Sequence, residues 1–230
     1  MAYRERASTV PGITVWQRDA RPSTFTGRIL PDGCMDLIWD GSRLVVAGPD
    51  TRARWHTMEP NVGYVGLRFS RGLGPALLAI RADELLDVTA DLGSLWPSGE
   101  ARVLSEQVAA APEAALEAWA GEGFARRESP RIGSVVFELA ASGTPVAAMA
   151  DCLGIGVRQL HRRCLPLFGY GPQHLARVLR LDRALVAAHR GVPLVDVAAT
   201  AGFADQAHLS REVRDLAGTT PRRLLGESGL

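Results

Sequence analysis

A chain of 230 residues, 47% of them hydrophobic and with a net charge of only +1, holds enough apolar material for one large core or two ordinary ones. No apolar run approaches the roughly 18 residues of a membrane span, and Met1-Ala2-Tyr3-Arg4-Glu5-Arg6 lacks the apolar centre of a signal peptide, so a cytoplasmic location is expected. Cys34, Cys152 and Cys164 are too few and too widely spaced for a disulfide framework and suit reduced thiols.

Residues 12–69 read as strands. Ile13 and Val15 alternate with polar neighbours, and short apolar runs follow at Met35–Trp39, Leu44–Ala47 and Val62–Phe69. Pro31-Asp32-Gly33, Asp40-Gly41, Gly48-Pro49-Asp50 and Pro60-Asn61 punctuate them. Short strands between frequent turn signals predict a small antiparallel barrel or sandwich. From Gly74 the texture becomes helical, with short helices at Pro75–Ile80 and Ala82–Leu86 and longer ones at Ala101–Ala111 and Pro112–Arg127. Val103, Val108, Leu116, Trp119 and Phe124 on the longer pair suit either a dimer contact or packing against their own barrel. Glu128-Ser129-Pro130 breaks the helical pattern and reads as a linker. An N-terminal domain over 1–128, β-rich at 12–69 and helical at 74–127, thus precedes a second domain over 129–230. The fold class expected is α+β followed by all-α.

The charge divides at the same place. From Pro130 onward 12 Arg face 8 acidic residues, whereas residues 1–129 carry 14 Arg against 17. A basic C-terminal part is a modest signal for nucleic acid, because phosphates reward clustered cations. All 26 basic residues are Arg, which coding bias explains more simply than a special use of guanidinium groups.

The second part reads as helix throughout. Arg131–Ala141 ends at Ser142-Gly143. Thr144, as N-cap, and Pro145, in the first turn, open a helix to Leu153. Gly154-Ile155-Gly156 makes a turn before Val157–Leu165. Gly171-Pro172 opens a long helix to His189, with Leu175, Val178, Leu181 and Leu185 on one stripe and Gly191 as its stop. Pro193–Ala201 ends at Gly202, and Asp205 caps a helix to Leu216 whose buried face is Leu209, Val213 and Leu216. Thr220-Pro221 starts a closing helix.

Two of these helix pairs repeat one another. Ala150-x-x-x-Gly154 matches Ala198-x-x-x-Gly202, and Leu160-x-Arg162 matches Leu209-x-Arg211 with one more residue in the second turn. A small Ala lets two helices approach, and the Gly permits the sharp turn. The Leu pins the second helix inward, so the Arg two positions on faces out. Helix, tight turn, and a helix with a polar, basic start is the layout that enters a DNA major groove. Pro172–His189, at 1.5 Å per residue, spans about 27 Å. Successive major grooves lie about 34 Å apart, so both helices reach one duplex if it bends toward the protein, at a cost on the order of a few kcal/mol.

Residues 131–227 resemble the DNA-binding domain of the AraC/XylS family of bacterial transcription regulators. The likeness is carried by Gly202-Phe203-Ala204-Asp205-Gln206-Ala207-His208-Leu209-Ser210-Arg211 and by Gly218-Thr219-Thr220-Pro221-Arg222. It implies DNA contacts from Arg158, His161 and Arg162 in the first unit and from Gln206, Ala207, Ser210 and Arg211 in the second. Gln159 and His208 stand on the same helix starts and join the candidate set. Arg163, Arg214, Arg222 and Arg223 suit solvent or phosphate better than bases. Three departures from the family pattern are Gly156 in place of a Ser cap, Cys164 in place of a buried Phe, and Ala207, which offers a base edge only a methyl. The partners implied are double-stranded DNA, a small-molecule effector, RNA polymerase and a second copy of the chain. No cofactor or catalytic residue is implied.

Such regulators commonly carry a ligand-binding or dimerising domain ahead of the DNA-binding one. Leu30-Pro31-Asp32-Gly33-Cys34-Met35-Asp36-Leu37-Ile38-Trp39 and Val65-Gly66-Leu67-Arg68-Phe69 resemble the uncharacterised N-terminal domain of a subset of them. Candidate ligand residues there are Trp16, Cys34, Asp36, Trp39, Trp55 and Arg68. The tryptophans suit an apolar pocket or a plain core, and Arg68 a ligand carboxylate or phosphate or an internal ion pair. Two other chemistries compete: a metal held by Cys34, Asp36 and His56, and a Cys34 thiolate activated by a nearby Arg. Either would make the N-terminal domain catalytic or redox-sensing.

Overall fold

The computed structural model describes residues 3–126 and 131–226, so the expected linker at 128–130 lies outside the described residues. Among the described residues there are eight strands, seven of them before the first helix: β1 (Tyr3–Ala7), β2 (Ile13–Arg18), β3 (Phe25–Ile29), β4 (Met35–Trp39), β5 (Leu44–Ala47), β6 (Arg54–Met58), β7 (Tyr64–Phe69) and, later, β8 (Thr89–Asp91). Six form one antiparallel sheet in the order β1-β2-β7-β4-β5-β8, and β3 pairs with β6 as a separate ribbon. The large sheet stays open, with β1 and β8 at its edges, so the sandwich form of the expectation holds and the closed barrel does not.

Alternation decides which face is which. Ile13, Val15, Met35, Leu37, Leu67 and Phe69 point to one side and are buried. They pack under α1 (Gly74–Leu78), a 3-10 turn at Ala82–Leu85, α2 (Leu92–Leu95), α3 (Ser98–Ala110) and α4 (Pro112–Arg126). Val108 and Leu116 are fully buried in this core, and Trp119 and Phe124 pack against it. Packing against their own sheet therefore accounts for the apolar residues of α3 and α4 except Val103, which is 47% exposed. The other face of the sheet carries Trp16, Asp36 and Arg68 toward the ribbon. There the Trp16 indole lies over Gly66, its cross-strand partner, where an added Cβ would sit 2.5 Å from the ring.

The remaining helices are α5 (Arg131–Ala141), α6 (Val146–Cys152), α7 (Val157–Phe168), α8 (Pro172–His189), α9 (Leu194–Ala201), α10 (Gln206–Ala217) and α11 (Pro221–Gly226). They enclose two cores that share α8. Leu175, Val178 and Leu179 close the first with α5–α7, and Leu181 and Ala184 close the second with α9–α11. Two local expectations are corrected. Pro145 rather than Thr144 occupies the N-cap of α6, while the Thr144 hydroxyl pairs with Ser142 at 2.9 Å. Helix α7 also continues through Pro166 to Phe168, because burying Leu160, Cys164 and Phe168 on one stripe outweighs the missing N–H.

The two parts of the molecule are in contact. Leu86 packs against the first helical core and Leu30 against the second. Arg71 reaches Asp182 on α8 at 2.9 Å.

Candidate nucleic-acid interface

The two helix pairs share their backbone as well as their sequence. In α6–α7 the Ile155 N–H donates to the Ala150 carbonyl at 3.0 Å, and in α9–α10 the Phe203 N–H donates to the Ala198 carbonyl at 2.9 Å. Both turns pass through a left-handed glycine, Gly154 (φ 63°) and Gly202 (φ 85°), which a Cβ would strain. Ala150 and Ala198 are buried between the paired helices, and Leu160 and Leu209 pin the second helix of each pair to its core.

The pinned Leu turns the candidate contacts outward. Arg158, Gln159, His161 and Arg162 are exposed on α7, as are Gln206, Ala207 and Arg211 on α10, whereas His208 and Ser210 are half-buried. The two histidines are less free than their positions suggest. His208 folds back so that its Nδ1 accepts from the Ala204 N–H at 3.3 Å, with its ring edge-on to Phe203. His161 lies against Gly171 at the start of α8, where a Cβ would meet its ring at 2.2 Å.

Electrostatics separates the arginines into two populations. Among the described residues, Arg158, Arg162, Arg163, Arg211 and Arg214 are in no ion pair, leaving their charge for phosphate or base. On the opposite side of α10, Arg177 and Arg180 of α8 are bound to Glu212, and Arg177 also to Asp215. Burial pushes Glu212 up, but the two guanidinium groups outweigh it and hold its carboxyl below the usual range.

The N-terminal domain grips both units at the ends of α7 and α10 farthest from these helix starts. Phe168 rests on Gly72, and Gly169 lies so close to Pro49 that a Cβ would approach it to 2.6 Å. On α10 the Ala53 N–H donates to the Leu216 carbonyl and the Arg28 guanidinium to the Ala217 carbonyl, each at 2.6 Å. Arg52 pairs with Asp215 at 3.0 Å. The carbonyls that a helix end leaves unsatisfied are thus satisfied by the other domain, and a cation at a helix C-terminus is favoured by the dipole.

Beside this seam, between the large sheet and the β3–β6 ribbon, lies a cavity of about 380 Å3 into which Arg18, His56, Arg68 and Asp182 face. Of the candidate ligand residues, the structure brings together Trp16, Asp36 and Arg68: the Trp16 N–H donates to Asp36 at 2.7 Å, and Arg68 lies 3.3 Å from Asp36 and 3.7 Å from Asp32. Burial pushes the Asp36 carboxyl up to about 6 against the pull of Arg68. Arg68 is thus occupied by internal carboxylates. Trp39 points the other way, into the core beneath the helices, and Trp55 is exposed with Arg28 stacked on it at 4.4 Å.

Burial and Asp32 together raise the Cys34 thiol well above its ordinary value, outweighing Arg71, which is the reverse of an activated thiolate. Among the described residues, no three His, Cys, Asp or Glu side chains gather as a metal would need. The residue that sequence reading missed is Arg18. It lies 5.5 Å from the rings of Tyr3 and Phe25, has no carboxylate partner among the described residues, and is lowered by burial and by Arg21.

Comparison with known proteins agrees with this geometry. A helix-turn-helix domain family of AraC type matches residues 149–226, and a domain of unknown function, DUF6597, matches residues 13–91. No curated protein matches the chain. Among solved structures, an apo variant of ToxT from Vibrio cholerae strain SCE256 is 14% identical, with a TM-score of 0.50 over 96% of this chain and 99% of that one. ToxT from Vibrio cholerae O395 is 14% identical over 95% and 98%, with a TM-score of 0.48. A probable AraC family transcriptional regulator from Rhodopseudomonas palustris is 21% identical over 44% of this chain and all of its own, with a TM-score of 0.37. Identities this low speak to fold alone. The match and the geometry together show that the chain carries, at its C-terminus, a helix-turn-helix domain of AraC type, with twin turns and outward unpaired arginines.

Proposed function

We propose that α7 and α10 enter neighbouring major grooves of one DNA site and that a small anionic effector in the seam cavity sets how the two are held. Arg162 and Arg211 read bases, with Arg158, Gln206 and Ser210 beside them. His161 and His208 serve more to brace their turns than to read. The observation that carries this is the same pairing on each helix: an open basic start on one end and, on the other, contact with the N-terminal part of the chain, apolar at α7 and hydrogen-bonded at α10. An anionic effector is supported by Arg18, which faces the cavity with no carboxylate ion pair among the described residues, whereas Arg68 already has two; Glu5 on the same wall confines the anion to the Arg18 side. Arg28 and Asp182 line the same cavity, and Arg28 also holds the end of α10, so occupancy there bears directly on the second unit. The domain boundary near residue 129 and a cytoplasmic location belong to the same reading.

The test starts with a site selected from random duplexes by the full-length protein. In gel-shift titrations, Arg162→Ala and Arg211→Ala each weaken binding by about 1–3 kcal/mol with the fold intact. Unchanged affinity in both variants would refute the two-helix assignment. Native mass spectrometry of the purified protein checks the effector: an anionic adduct that disappears in Arg18→Ala is expected.

A further inference from the structure

A cavity larger than the one at the seam lies elsewhere among the described residues. It is a cleft of about 990 Å3 on the helical side of the N-terminal domain, enclosed by α1, α2, α3 and α4. Its size is that of sites which bury most of a drug-sized molecule. Its floor is aromatic and fixed. The Trp96 N–H is committed to the Leu78 carbonyl at 2.8 Å. The Trp119 ring lies 5.8 Å from that of Trp96, tilted by 46°, and stands edge-on to Phe69 at 6.3 Å. Leu77, Leu95 and Leu104 complete the apolar lining.

The charge around the cleft is one-sided. Glu122 is paired with Arg126 at 2.9 Å, so the two cancel. Glu100, in the first turn of α3, has no cationic partner among the described residues, and the cleft is left with one uncompensated negative charge. Aromatic faces beside a free carboxylate favour a cation with an apolar body, since ring quadrupole and carboxylate attract the same charge. A second copy of the chain fits less well. Val103 is the sole large apolar residue of α3 and α4 left exposed among the described residues, whereas a stable interface buries about 800 Å2 per partner around an apolar centre.

We infer that this cleft is a second small-molecule site, taking a lipophilic organic cation whose body rests on Trp96 and Trp119 and whose charge meets Glu100. It is separate from the anion site at the seam and opposite in charge preference. Its outer wall is α4, the last described helix before the C-terminal part of the chain.

The full-length protein is titrated with tetraphenylphosphonium and, separately, with tetraphenylborate, two ions of nearly the same shape and opposite charge. Tryptophan fluorescence and equilibrium dialysis report binding. Saturable binding of the cation is expected, at least about tenfold tighter than that of the anion. Glu100→Lys is expected to weaken the cation by about tenfold or more, and Val103→Arg to abolish its binding, both without a shift in the thermal midpoint. Arg18→Ala leaves cation binding unchanged. Equal affinity for the two ions, no saturable binding, loss of cation binding in Arg18→Ala, or indifference to both cleft variants would each overturn the inference. So would sedimentation showing a dimer that Val103→Arg splits and the cation does not disturb, because the occupant would then be a second copy.

Discussion

The two helix-turn-helix units share one turn, one pin and one arginine position, yet they are braced in different ways. The recognition helix of the first, α7, is held from behind by apolar contact: Phe168 on Gly72, Gly169 under Pro49, Leu86 in the core. That of the second, α10, is held by charge and hydrogen bonds: Glu212 and Asp215 to Arg177, Arg180 and Arg52, and its final carbonyls to Ala53 and Arg28. Apolar burial is insensitive to pH and to salt screening, whereas ion pairs that reach solvent respond to both. One scaffold thus holds one helix stiffly beside another whose hold depends on conditions. The seam cavity lies next to the second, sharing Arg28 with it.

The largest effect should come from removing the apolar brace. Phe168 is 1% exposed, and Phe168→Ala leaves a void where α7 meets the N-terminal domain. The expected cost is about 3–5 kcal/mol, seen as a lowered midpoint in thermal or urea unfolding and nearly the same at low and high salt. A marked salt dependence of the loss would mean that the two braces do not differ in kind.

Next comes the ionic brace. Glu212→Ala strands Arg180 and leaves Arg177 with Asp215 alone; the two side chains are 28% and 30% exposed and so partly reach water. A loss of about 2–3 kcal/mol is expected, below that for a fully buried pair. The pH dependence has a definite sign. The Glu212 carboxyl sits below its ordinary 4.5 in the folded protein, so its contribution is present above that value and fades as pH falls beneath it. Unfolding of the wild type and of Glu212→Ala should therefore converge in acid, and parallel curves down to pH 3 would contradict it.

A smaller effect separates the helix starts. Asp205 accepts from the His208 N–H at 2.6 Å and caps α10. Asp205→Ala should cost about 1 kcal/mol and free His208, so DNA affinity falls more than stability alone requires. Comparing unfolding with gel-shift titration checks this.

How much of this was legible follows from what each signal encodes. The helical half was read almost to the residue, because its 3.6-residue stripes, glycine stops and the Asp205 cap are local. Four strands, β1, β3, β6 and the three-residue β8, went unread for the opposite reason. β1 (Tyr-Arg-Glu-Arg-Ala) is exposed along its whole length, and β3 and β6 show little apolar alternation, so pairing rather than pattern makes them strands. The outward direction of Arg162 and Arg211 was visible because a pinned Leu two positions earlier fixes it. The lining of the seam cavity was not, since the partnering of Arg68 with Asp36 and Asp32, and the lack of a carboxylate at Arg18 among the described residues, arise from strands brought together across the sheet. Nor does sequence show that the N-terminal domain closes the end of α10, because a carbonyl offers no sequence signal at all.

The finest difference between the units is at the start of α7. Gly156 has an extended φ of −73° and open space around the position of a Cβ, and no side chain caps the helix. Gly156→Ser therefore adds an acceptor for a free first-turn N–H without strain, for a gain of a few tenths of a kcal/mol. In DNA binding the same change acts in the other direction. A serine oxygen that occupies that N–H competes with any phosphate oxygen that would otherwise take it, since both seek the positive end of the helix. Stability should thus rise slightly while affinity for the selected duplex stays level or drops. A parallel rise in both would show that the bare start of α7 is merely a missing cap and not a surface kept open for the DNA backbone.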